Sequence, residues 1–82
     1  MKLIRSEDGE RAYISNNNGI VIAMVEKQKM GTHGHWRGWT HYRLCETTGC
    51  MKIVDFFDTD IPFCFANLKE FKAYYAEGTV QN

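Results

Sequence analysis

The residues able to do chemistry in this chain crowd between Lys27 and Arg43. That stretch holds Lys27, Lys29, Arg37 and Arg43, the histidines His33, His35 and His41, and no acidic residue, with Trp36, Trp39 and Tyr42 interleaved. Cations alternating with aromatics suit a single-stranded nucleic-acid groove, where each stacked base contributes about 1–3 kcal/mol. The ordinary reading carries more weight: Trp36 and Tyr42 fill the core of a small sheet, and the cations form its wet edge. Histidine spacing also raises a metal. His33 and His35 would share one face of a strand, and His41 and Cys45 are of the right type for tetrahedral zinc. No Cys-x-x-Cys pair accompanies them, and one straight strand cannot wrap His35, His41 and Cys45 around a single ion, so ordinary surface histidines are favoured and no metal or cofactor is expected.

The thiols are candidate nucleophiles. A catalytic cysteine needs a base within hydrogen-bond reach and a lowered pKa. His41 and Cys45 stand four apart, about 13 Å along an extended strand, too far to touch within it. Cys64 lies in the apolar run Phe63-Cys64-Phe65, where a thiol behaves as a small hydrophobe. Asp55, Asp58 and Asp60 form an acidic cluster that lacks the glycine and distal glutamate of a calcium-binding hand, and it reads as a solvated turn. Phosphate-binding loops, dinucleotide fingerprints, serine-hydrolase elbows and zinc-protease helices have no counterpart in the chain. An enzyme is not expected.

The elements that must position these residues come from a short chain. Its 82 residues suit a single small domain spanning 1–82, and 44% hydrophobic content gives that domain a core to bury. Ten basic residues against ten acidic ones cancel, which disfavours a generally cationic nucleic-acid binder while leaving a local patch open. Three cysteines cannot all pair within one chain, and neither a signal-peptide core nor a bilayer-length apolar run is present, so a reducing, cytoplasmic setting is expected, away from any membrane. The uninterrupted reading from Met1 suggests a complete small gene product.

Turn chemistry sets the order of elements. Asp8-Gly9 and Asn18-Gly19 each suit a two-residue type I′ turn. The first would set Leu3 opposite Ile14 and Ile4 opposite Tyr13; the second would set Tyr13 opposite Met24 and Arg11 opposite Glu26. Residues 29–35 read as a flexible connection. From Trp36 the chain alternates again, with Trp36, Gly38, Thr40, Tyr42 and Leu44 on the core-like face and Arg37, Trp39, His41, Arg43 and Cys45 on the other; the alternative, a one-residue register shift, reverses the faces and makes Trp39 core and Tyr42 exposed. Gly49 closes a turn over 46–49, leaving open whether Cys45 faces Cys50, and residues 50–57 return as a fifth strand. Pro62 breaks the pattern. Asn67 is the N-cap of a helix with Glu70 as its reciprocal partner, a stripe of Leu68, Phe71 and Tyr75, and Gly78 as its stop.

The fold expected is therefore α+β: an antiparallel β-meander of about five strands with one C-terminal helix packed on one face. A single helix leaves sheet edges and one face without cover, which predicts a homodimer or a protein partner. The function expected is that of a small stand-alone binding protein acting by protein–protein contact, of inhibitor or adaptor type, a size and style that phage or mobile-element proteins share. The runner-up is a nucleic-acid-binding domain using residues 27–43. The surface assigned to either role is Arg37, Trp39, His41 and Arg43, emerging together on the fourth strand, with Lys29 and Trp36 beside it. Oxidation would bridge Cys45 and Cys50 if they oppose each other; in a reducing compartment all three thiols should be free.

Overall fold

A computed structural model describes residues 1–28, 38–55, 57–58 and 60–76. The strands are β1 (Lys2–Arg5), β2 (Arg11–Ser15), β3 (Val21–Lys27), β4 (Trp39–Leu44), β5 (Met51–Ile53) and β6 (Cys64–Phe65), and one helix, α1, spans Leu68–Ala76. Strands β1 to β5 lie side by side in chain order, every pairing antiparallel, and β6 joins the outer edge of β4. The expected α+β meander with a C-terminal helix is what forms.

Both expected registers are present. Leu3 faces Ile14, Ile4 faces Tyr13, Tyr13 faces Met24, and Arg11 faces Glu26. The turns that set them differ from expectation. Gly9 and Gly19 take positive φ, at 73° and 81°, but no described residue other than a glycine does, so Asp8 and Asn18 do not and neither turn is type I′. Side-chain oxygens stabilise an alternative. Asp8 accepts from the Ser6 hydroxyl at 2.6 Å and from the Glu10 amide at 2.9 Å, and Asn16 accepts from the amides of Asn18 and Ile20. In the second hairpin Asn16 bonds Ile20 across the turn, which by itself would shift the register by one. A bulge between Ile14 and Ser15 absorbs the difference.

The fifth strand is shorter than the expected 50–57 and the sixth was not expected; the two are connected. After Ile53 the chain bends, with the Asp55 carboxylate accepting from the Phe57 amide and Asp58 from the Asp55 amide. Only Tyr42, Arg43 and Leu44 of β4 pair with β5, which frees the rest of that edge for β6, where Trp39 faces Phe65 and Thr40 faces Cys64. His41 is the hand-over point: its amide donates to Phe63 O at 3.1 Å, and its carbonyl accepts from the Val54 amide at 2.8 Å.

Helix α1 begins as its sequence dictates. Asn67 Oδ1 accepts from the Glu70 amide at 2.9 Å, and Glu70 reaches back to the Ala66 amide at 3.1 Å. Phe71 and Tyr75 are buried on its inner stripe. Together with Ala12, Ile14, Ala23, Val25 and Phe65 they form the core, and Leu3, Ile22, Trp39, Leu68 and Tyr74 pack around it. The two alanines at the sheet centre leave room for the aromatic rings of the helix. Gly38 has a steric role: a Cβ there would lie 2.7 Å from the Phe65 carbonyl oxygen. Among the described residues, no helix is long and apolar enough to cross a membrane.

Candidate functional site

Alternation along β4 places Trp39, His41 and Arg43 on one face, as expected, but that face is the one the helix covers. His41 has no exposed surface, and Trp39 packs half-buried against the core. The expectation that these residues emerge together on an open surface is thus corrected for His41 and Trp39. The cause is visible in the register. His41 faces Val25, which faces Ala12, all on the helix side, whereas Tyr42 faces Met24, which faces Tyr13, on the other. Arg43 is half-buried near the end of β4. Lys29, Trp36 and Arg37 lie outside the described residues, as do His33 and His35.

His41 is held as a core group. Its Nδ1 lies 2.8 Å from Pro62 O, which can only accept, so Nδ1 carries the proton; Nε2 then accepts from the Tyr75 hydroxyl at 2.5 Å. Phe65, Phe71, Tyr74 and Tyr75 surround the ring with centroids 5.0 to 6.2 Å away. Burial disfavours the charged imidazolium and lowers its pKa from 6.5 to about 4, opposed by the Pro62 bond and assisted by the positive charge of Arg43. Burial also pushes the Tyr75 phenol well above its ordinary range. With both ring nitrogens engaged, His41 is not available to a ligand. No group of three His, Cys, Asp or Glu side chains among the described residues is placed to hold a metal ion.

The sheet face opposite the helix carries a different constellation. Ile4, Tyr13, Met24, Tyr42 and Ile53 stand in one line across β1 to β5, each directly opposite the next. At the usual strand spacing the line is about 19 Å long. Ile4 is 40% exposed and Ile53 59%, while the three residues between them are half-buried by their neighbours. On one side runs a polar row. Arg11 pairs with Glu26 at 2.9 Å, and the Tyr42 hydroxyl donates to Glu26 at 3.3 Å. On the other side Leu44 faces Met51 and extends the apolar area. Sequence reasoning paired Tyr13 with Met24 but did not follow that pair across the sheet, although the Asn18-Gly19 register already contained the signal.

A second feature lies at the β4–β5 turn, on the helix-side face but near the end of the hairpin. Cys45 donates its amide to Cys50 O at 2.8 Å, so the two cysteines oppose each other, which settles the register that the sequence left open. Gly49 takes the left-handed conformation there with φ of 72°. Arg43 and Lys52, also directly opposed, flank the cysteine pair and line an open cleft of 470 Å³ with Cys45, Glu46 and Asp58. Comparison with known protein families, curated proteins and solved structures finds no match for this chain.

Proposed function

We propose that the protein is a small binding module that acts by protein–protein contact through the sheet face opposite its helix, and that the partner seated there is a second copy of the chain. The observation that carries this is the line Ile4, Tyr13, Met24, Tyr42, Ile53, which reads the same from either end. A two-fold interface needs a self-complementary patch. Under an axis lying along either the line or the strands, isoleucine meets isoleucine, tyrosine meets tyrosine and methionine meets methionine. The axis along the line also keeps Glu26 away from its own copy. Two such faces would pack as a β-sandwich about 10 Å apart. The bordering Arg11–Glu26 pair neutralises its own charge within each chain and supplies a polar rim.

The test is sedimentation equilibrium on the full chain and on Met24→Arg, with circular dichroism as the check on folding. Wild type should sediment as a dimer, and the substituted chain as a folded monomer. A wild-type mass of 9.5 kDa at high micromolar concentration would overturn the second copy as partner. The nucleic-acid reading is tested alongside with a single-stranded oligonucleotide: tight binding that weakens steeply with salt would favour it over protein contact.

A further inference from the structure

We propose that Cys45 and Cys50 form a reversible dithiol–disulfide pair in which Cys45 attacks and Cys50 resolves, small-molecule disulfides being the co-reactant. The pair is set by the fold. The amide bond from Cys45 to Cys50 makes them a hydrogen-bonded pair, whose Cβ atoms stand near the wide end of about 4.5–5.5 Å, and a disulfide closes at about 3.5–4.5 Å, so bridging draws the end of the hairpin inward by about 1 Å. A bridge that must draw its strands together is strained and correspondingly reducible.

The two sulfurs have different surroundings. The Thr48 hydroxyl, the turn amides of Thr47 and Thr48 and the positive charge of Lys52 all act on the Cys45 sulfur. These donors favour the thiolate, lowering the Cys45 pKa from 9.0 to about 7. The Cys50 thiol is exposed and donates to Thr48 O at 3.7 Å. Cys64 contrasts with both: burial and the charge of Glu70 push its pKa up. The cleft beside Cys45 is bordered by Arg43 and Lys52 and also by Glu46 and Asp58, a mixture that suits a disulfide bearing both carboxylates and ammonium groups, as oxidised glutathione does.

The chemistry balances as two exchanges. The Cys45 thiolate attacks one sulfur of the small disulfide; that S–S bond breaks, one thiolate leaves, and a mixed disulfide remains on Cys45. Cys50 then loses its proton and attacks the Cys45 sulfur, expelling the second small thiolate. Two protein thiols have become one disulfide, and one small disulfide has become two thiols that carry away both protons.

Oxidised glutathione added to the reduced full chain, followed by alkylation and peptide mass spectrometry, tests this. The expected result is an intramolecular Cys45–Cys50 bridge that reduced glutathione reverses, with Cys64 still alkylated as a free thiol. Cys50→Ser should trap glutathione on Cys45, and that capture should outpace capture at Cys64 by at least about tenfold near neutral pH. Thr48→Val, at an exposed turn position, should move the pH midpoint of Cys45 capture upward while circular dichroism stays unchanged. Equal capture rates at Cys45 and Cys64, or mixed and intermolecular disulfides without the internal bridge, would overturn the pair.

Discussion

An imidazole buried among four aromatic rings gives the protein a stability that depends on pH through one residue. The pKa of His41 is about 4 in the folded chain and 6.5 in its ordinary state, so between those values the unfolded chain binds the proton more readily. Its contribution is therefore whole above pH 6.5, falls as pH drops toward 4, and falls no further below that. A depression of this size corresponds to about 3 kcal/mol. Urea unfolding at several pH values should show this loss in wild type, and His41→Gln should lack it, the comparison removing the shared effect of the carboxylates. The hydrogen bond from Tyr75 gives a second prediction. Tyr75→Phe keeps the ring but leaves Nε2 a buried acceptor without a donor, which should cost about 1–3 kcal/mol in the same unfolding measurement.

Along the strands, what the sequence determines and what it leaves open separate cleanly. Turn residues at 8–9 and 18–19 were enough to place four cross-strand pairs, because the bulge in β3 cancels the longer second turn. The inward face of β4 was not legible. Its neighbour β3 carries Ala23 and Val25 on one side and Met24 on the other, so both faces read as apolar, and only the arrival of α1 decides between them. A strand as short as β6 has too few residues to show a period at all, and without β6 nothing in the sequence indicated that β5 must stop early. The close approach of Gly38 to Phe65 follows from that same pairing. Gly38→Ala should push β6 off the edge of β4 and destabilise the chain by about 1–3 kcal/mol, seen as a lower urea midpoint. Gly9→Ala meets open space and should cost only the strain of its positive φ, about 1 kcal/mol.

For the molecule as a whole, the proposed pairing of sheet faces would make association and folding parts of the same equilibrium. If the second face is covered by another copy, the melting temperature should rise with protein concentration in wild type and stay fixed in Met24→Arg, a difference that calorimetry over a wide concentration range reads directly. The division of the β4 edge has a separate outcome. Residues 60–76 are gripped along the half of that edge that β5 leaves free, through the hydrogen bonds of His41 to Pro62 and Tyr75, and through Phe65, Phe71 and Tyr75 against the core. A nick in the bend after Asp55 would therefore turn one chain into a receptor and its cognate peptide. The longer fragment would offer a groove floored by Ala12, Ala23 and Val25, and the shorter one, bringing Phe65, Phe71 and Tyr75, would rebuild the missing wall in trans.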